Sequence, residues 1–417
     1  MRTLLSFCLG LIGALTAIPA VAAPSEHLER VVIVMRHGVR SAMSSPEELG
    51  RYSLKPWPHF AVPPGYLTER GSKAVTLLGA WYRAHYHAAG LLADGDCAVF
   101  YWANHTQRTE ATAAALAEGL TPGCRAIIHQ SPAAPDPLFD APLVRPATLD
   151  PARRLAAISG RIGGDLAGWD RRLQPNTDRF EALLLQCRAI PCTAQERRRV
   201  ARRLGDTPVE MKLDGAGGMI LTSPALQVAG IAESLMMAYG DGLHFAGWRG
   251  VDASTIEAAL TVHGAGIDLR TRTPEVGRQA SGTLASRLLA TLQQGSDRAV
   301  TGEPIGGADK IVVLSGHDGT VTMLAGLLGL NWQVPGYAAG QAAPGGGLVF
   351  ERWRRVSGEQ VVRVRYVAQN LDQLRNLTPL EGNVAPGVAA VFVPGCSQAD
   401  MACPLSQFTE HVLSAVR

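Results

Sequence analysis

The sequence predicts an α/β fold, a sheet flanked by helices, with a smaller α domain inserted into it. Three observations predict it. The runs Val31–Met35, Ala98–Trp102 and Ile311–Leu314 are short, apolar and largely unbroken, as strands buried on both faces of a parallel sheet are. Each run gives way to polar residues: Arg36-His37-Gly38-Val39-Arg40 after the first, His105 and Arg108 after the second, Ser315-Gly316-His317-Asp318 after the third. Between the second and third runs, from about Asp150 to Ile267, apolar residues recur at helical spacing. Ligands of open α/β sheets sit beyond the carboxyl ends of the strands, so the three polar clusters are expected to converge.

From the N-terminus, Arg2 precedes the apolar run Leu4–Ile18, which is followed by Pro19-Ala20-Val21-Ala22-Ala23. A positive residue, an apolar stretch and an A-x-A-like site mark a signal peptide over residues 1–22, cleaved after Ala22 or Ala23. The run is shorter than the ~20 residues that cross a bilayer, which disfavours an anchor. A periplasmic or secreted protein with no membrane partner after cleavage is the expectation. Residues 23–149 then hold the first two strands and an Ala-rich helix ending at Leu120, opened by Thr106 or Thr109. Residues 150–267 form the insert, with helical runs at Arg154–Ile158, Phe180–Leu185 and Leu226–Met237. Within it, Arg197, Arg198, Arg199, Arg202 and Arg203 read as a solvated helix face. Residues 268–417 return to the α/β domain, broken by Gly/Pro loops at Gly302–Gly307 and Pro335–Gly347.

Composition narrows the function. Hydrophobic residues make up 47% and charged residues 18% of 417, enough to bury a sizeable core. A formal net charge of +3 is too weak to imply a nucleic-acid partner. Six cysteines remain after Cys8 leaves with the signal, in three local pairs: Cys97 and Cys124, Cys187 and Cys192, Cys396 and Cys403. Spacing alone leaves 15 pairings open, but short loops close at the lowest entropic cost, which favours neighbours. Zinc is the competing reading for Cys187-x4-Cys192, and no further ligand pair stands at the right spacing. No metal or other cofactor is expected.

The clusters carry an inventory for phosphoryl chemistry. Arginines offer planar donor forks that match phosphate oxygens, and Arg36 and Arg40 bracket His37. Gly38 would let the backbone bend and approach a ligand. Cleaving a phosphate monoester needs a nucleophile, cations for the equatorial oxygens and a proton for the departing alkoxide. His37 would attack phosphorus; Arg36, Arg40, Arg108 and His317 would hold the oxygens; Asp318 would protonate the leaving oxygen and later activate water.

These residues match a known family. The chain resembles the periplasmic branch of the histidine acid phosphatases, which contains bacterial phytases and glucose-1-phosphatases. The signature RHGxRxP appears as Arg36-His37-Gly38-Val39-Arg40-Ser41-Ala42, and HD as His317-Asp318. Gly65-Tyr66-Leu67-Thr68-Glu69-Arg70-Gly71, Gln107-Arg108-Thr109, Pro135-Asp136-Pro137-Leu138-Phe139, Arg272-Thr273-Pro274-Glu275-Val276 and Gly345–Trp353 resemble further landmarks. The resemblance implies a phosphoglycerate-mutase-like sheet with an inserted α domain and a cleft between them. It also implies His37 as nucleophile, Asp318 as proton donor, and a phosphate pocket of Arg36, Arg40, Arg108 and His317. It supports disulfides within the three local cysteine pairs. Ser44, Glu233 and Arg272 stand at substrate-side positions. Departures fall on specificity: Ala42-Met43-Ser44 replaces the usual Pro-Thr-Lys, and His317-Asp318 continues as Gly319-Thr320 rather than a small polar residue and Asn.

The expected function is a secreted, monomeric acid phosphatase acting on small phosphate monoesters, of phytase or sugar-phosphatase type. Acid should favour turnover because Asp318 must carry a proton among arginines that oppose it. Two other readings use the same residues. A phosphohistidine can hand its group to an alcohol, making a phosphotransferase, and the arginines alone would make a non-catalytic phosphate binder.

Overall fold

The computed structural model describes residues 26–140, 150–215 and 218–417. The expected signal peptide lies outside them. In chain order, the N-terminal part contributes β1 (His27–Arg36), α1 (Pro46–Gly50), α2 (Glu69–Ala88), β2 (Val99–Ala103), α3 (Gln107–Leu120) and β3 (Ile128–His129). Next come α4 (Pro151–Arg161), α5 (Leu166–Leu185), α6 (Ala194–Arg197), β4 (Glu210–Leu213), β5 (Met219–Thr222), α7 (Pro224–Gly240) and α8 (Ala253–Thr271). The C-terminal part supplies α9 (Pro274–Gln293), β6 (Ile311–Gly316), α10 (Asp318–Leu328), β7 (Gly347–Arg354) and β8 (Gln360–Ala368). It ends with α11 (Leu371–Asn376), β9 (Gly387–Val391), β10 (Ala402–Pro404) and α12 (Leu405–Val416).

The sheet runs β10-β8-β7-β1-β6-β2-β3, with β9 also paired to β8. The three apolar runs of the sequence lie side by side in it: β1 and β2 each pair in parallel with β6. Their burial on both faces follows from the alternation of side chains along a strand. Val31, Ile33 and Met35 pack with Val75, Leu78 and Leu116 of α2 and α3. Val32 and Val34 belong to the opposite layer with Leu284, Leu288, Val321 and Leu324 of α9 and α10. Helices α2 and α3 approach backbone to backbone. A Cβ at Gly79 would be driven into Leu116 O, and one at Gly119 into Thr76 O, so both positions need glycine for space.

The middle of the chain adds no strand to this sheet among the described residues. It is not wholly helical, because β4 and β5 pair as an antiparallel hairpin. These strands are four residues each, and Met211, Met219 and Leu221 pack against the core. Runs that short carry too few side chains for their alternation to stand out beside the surrounding helical period. The expected boundary between residues 267 and 268 falls inside α8. Residues of α7 and α8, such as Leu235 and Leu260, share one continuous core with β1 and β6.

Disulfides join Cys97 to Cys124, Cys187 to Cys192 and Cys396 to Cys403, with Cα separations of 5.7, 5.7 and 5.1 Å. No helix of the described residues is long and apolar enough to cross a membrane.

Candidate active site

Strand register brings the site together. Arg36 pairs with Gly316 across β1 and β6, so His37 and His317 leave the sheet as the next pair. Their rings lie 5.7 Å apart. Ala103 pairs with Ser315 on the other side of β6, which delivers Asn104 and the first turn of α3, with Arg108, to the same edge. Three segments distant in sequence thus end at one place, as parallel strands with common polarity must.

His37 is buried, at 2% exposure. Its Nδ1 lies 2.9 Å from the carbonyl of Gly38, so Nδ1 carries the proton and Nε2 keeps a free lone pair. Burial first, then the guanidinium groups of Arg36 and Arg40, hold the imidazole pKa well below its usual value. Burial and the two cations thus favour the neutral ring. Gly38 has a packing reason rather than a conformational one. A Cβ there would lie 2.8 Å from Val75 Cγ2 and 3.2 Å from Gly71 O, because α2 fits directly beneath the loop.

The loop is tied down by the segment before α2. Ser41 N–H donates to Tyr66 O at 2.9 Å, and Thr68 N–H to Val39 O at 3.0 Å. Arg36 is wholly buried; its Nη1 donates to Ala342 O at 2.7 Å. Its Nη2 donates to Glu233 Oε1, and Arg40 Nη2 reaches the same oxygen at 3.0 Å. Glu233 comes from α7, with 19% of its side chain exposed. Burial opposes its charge, but Arg36 and Arg40 keep its pKa below the ordinary carboxylate range.

On the other flank Arg108 Nη1 donates to Gly65 O at 3.4 Å, and Nη2 to His317 Nδ1 at 3.3 Å. Arginine only donates, so Nδ1 accepts. His317 Nε2 then donates to Asn104 Oδ1 at 3.1 Å, while Asn104 Nδ2 donates to Asp140 Oδ2 at 2.7 Å. Burial, then Arg108, depresses the His317 pKa to about 4. Asp318 opens α10, where the helix dipole favours a negative charge. Burial works against ionisation, yet the charge of Arg36 above all holds the carboxyl well below its usual range. Thr320 Oγ1 accepts the His317 N–H at 3.0 Å, so the Gly319-Thr320 departure caps α10 and fixes the His-Asp turn.

The structure brings together His37, Arg36, Arg40, Arg108, His317, Asp318 and Glu233. Ser44 lines the cleft beyond Arg40. Arg272 is not brought there: its Nη2 donates to Leu330 O at 2.5 Å and its guanidinium lies 5.2 Å from the Trp332 ring centroid. Two positions before Arg272, in the last turn of α8, Arg270 instead feels the carboxylates of Asp318 and Glu233. His263, two turns earlier on that helix, does likewise, with Nδ1 2.8 Å from Ala229 O. The sequence reading missed Asn104, Asp140 and Arg270. For Asn104, its place beside the second strand's end was the available signal. His105 turns away, its Nε2 2.9 Å from Ala133 O.

A buried, neutral histidine ringed by arginines at the carboxyl edge of this sheet, with an aspartate on the next helix, defines a histidine acid phosphatase. The chain belongs to the histidine phosphatase superfamily (branch 2), which matches residues 27–211 and 249–367. It is 32% identical over 429 residues to the phytase AppA of Escherichia coli (strain K12), covering 100% of this chain and 98% of that protein. It is 23% identical to the glucose-1-phosphatase of Salmonella typhimurium, covering 96% of each. Among solved structures, the apo form of Hafnia alvei phytase superposes with a TM-score of 0.84 at 28% identity, covering 95% of this chain and 98% of that one. The protein is accordingly a phosphatase of phosphate monoesters.

Proposed function

We propose that the protein is an exported acid phosphatase that works through a phosphohistidine on His37. The observation that carries this reading is the pairing of a neutral imidazole, its Nε2 unengaged, with a carboxyl group on the adjacent helix. The His37 Nε2 lone pair attacks phosphorus and the bond to the ester oxygen breaks. Asp318 gives its proton to that oxygen, and the alcohol leaves. Asp318, now a carboxylate, takes a proton from water; the hydroxide attacks phosphorus, freeing inorganic phosphate and restoring His37. Arg36, Arg40 and Arg108 bind the equatorial oxygens, whose negative charge also offsets the cations that keep Asp318 ionised. Substrate binding therefore raises the Asp318 pKa, and acid supplies the proton.

His317 acts through Arg108 in this reading. Its neutral ring accepts from the guanidinium and donates to Asn104, which leaves it no free donor for phosphate. It is a positioning residue. The relatives include a phytase and glucose-1-phosphatases, so phytate and sugar phosphates are the candidate substrates. Paired cysteines and an apolar leader support action outside the cytoplasm.

The test is rapid acid quenching during turnover of a 32P-labelled ester. Label should appear on the His37 peptide of the native enzyme and vanish with His37→Ala. A native enzyme that turns over without labelled histidine would remove the covalent step.

A further inference from the structure

The guanidinium of Arg36 hangs on one carboxylate and one peptide group. Its Nη2 donates to Glu233 Oε1 and its Nη1 to Ala342 O at 2.7 Å, while its Nε, also buried, has no partner among the described residues. A guanidinium is planar and rigid, so these two bonds fix where its remaining donors point. The peptide group that carries the Ala342 carbonyl is the same one that carries the Ala343 N–H. That N–H donates to Tyr366 Oη at 2.7 Å. Because the atoms of a peptide group lie in one plane, an acceptor on its N–H edge sets the direction of the carbonyl on the opposite edge.

Tyr366 stands on β8 and is fully buried. Its ring stacks on that of Trp332, with centroids 4.3 Å apart and planes 11° from parallel. Trp332 Nε1 in turn donates to Gln341 O at 2.9 Å, so the stacked pair grips two consecutive peptide groups. The turn they hold is tied to the nucleophile as well: Gly345 N–H donates to His37 O and Arg36 N–H to Gly346 O, each at 2.9 Å. A Cβ at Gly346 would be driven into Tyr366 Oη, so glycine is needed there for the hydroxyl to reach the turn. Phosphoryl transfer through His37 and Asp318 asks nothing of a phenol. Burial raises the Tyr366 pKa and keeps the group uncharged.

We propose that Tyr366 is a positioning residue for the phosphoryl group: its hydroxyl orients the Ala342–Ala343 peptide, and that peptide orients the Arg36 guanidinium toward the oxygens on phosphorus. This rests on the reading of Arg36 as a phosphate ligand and adds to it a residue that acts only through the backbone. Removing the hydroxyl leaves the Ala343 N–H buried without its acceptor. The peptide then turns in search of another partner and carries the guanidinium with it. Small displacements of a group that stabilises developing charge are costly in rate.

The experiment sets Tyr366→Phe beside Tyr101→Phe. Tyr101 is also buried, and its hydroxyl lies 2.9 Å from Thr121 Oγ1. Each variant gives up one buried hydrogen bond, so both should lower the urea midpoint. Only Tyr366→Phe should lower kcat/KM for p-nitrophenyl phosphate, by about 10-fold or more and mostly through kcat, and weaken calorimetric binding of inorganic phosphate; Tyr101→Phe should stay within about 2-fold of native in both. Arg36→Lys completes a double-mutant cycle, because an ammonium has no plane to turn. Added to Arg36→Lys, Tyr366→Phe should change kcat/KM, or phosphate affinity where turnover is too slow to read, by less than about 2-fold. Native kcat/KM and phosphate affinity in Tyr366→Phe, or losses undiminished in the Arg36→Lys background, would overturn the role. Failure of native enzyme to hydrolyse p-nitrophenyl phosphate would strike the phosphatase reading instead, and the phosphate calorimetry would still judge the tyrosine.

Discussion

At the scale of single residues the site is a contest between burial and charge, and it predicts how acid acts. Glu233 takes donors on Arg36 and Arg40 that an entering phosphoryl group would also need in the proposed mechanism. A phosphoryl anion beside that carboxylate is repelled by it. Glu233→Gln should therefore tighten competitive inhibition by inorganic phosphate several-fold, most above pH 5; a weaker or unchanged Ki would show that the carboxylate does not compete. His317 shapes stability. Its pKa is held at about 4 when folded and returns to about 6.5 when unfolded. As pH falls from 6.5 towards 4 the unfolded chain gains a proton that the folded one refuses, so stability is lost over this interval. The loss is at most about 1.4 kcal/mol per pH unit. Urea midpoints measured at pH 6.5 and 4.5 should drop less for His317→Asn than for the native protein. A drop of equal size would mean that the ring charges in the fold. The strand-end residues were legible because each follows an apolar run directly. Asn104 and Asp140 were not, since their role is to orient His317, which only the register of β2 on β6 defines.

At the scale of elements, close helix packing positions the arginine of α3. Gly79 and Gly119 let α2 and α3 meet without side chains between them, and Leu67 N–H donates to Gln107 Oε1 at 3.0 Å where α3 begins. Gly119→Ala should force the helices apart and cost roughly 1–3 kcal/mol. It should also raise KM for p-nitrophenyl phosphate through displacement of Arg108. Stability within about 0.5 kcal/mol of native in urea denaturation would show that the helices can yield freely. Strands β1, β2 and β6 were legible as short unbroken apolar runs. The hairpin β4–β5 was not, and neither was the end of α6 at Arg197: four residues hold one helical turn or two strand repeats, too few for either pattern to stand out.

For the whole molecule, two of the three disulfides, Cys97–Cys124 and Cys396–Cys403, brace the sheet's periphery rather than its catalytic edge, and Cys187–Cys192 closes the turn between α5 and α6. Cys97–Cys124 links the chain entering β2 to the end of α3, closing a loop with a sequence separation of 27 residues. Replacing both cysteines with serine should cost about 3–4 kcal/mol by loop entropy. Activity on p-nitrophenyl phosphate at 25 °C should survive in the fraction that stays folded; loss of kcat in a fully folded double mutant would tie the bridge to the site. The sequence by itself determined the reaction chemistry, because His37, the arginines and Asp318 are set by local motifs whose residue types permit few uses. It also marked the three strands that carry them, since burial on both faces writes itself as unbroken apolar runs. Only the tertiary structure decided which charges are spent. Arg272 is turned to Leu330 and Trp332, and Arg270 to the centre. A guanidinium reads the same in any sequence; what it can bind depends on which carboxylates the fold has already placed beside it.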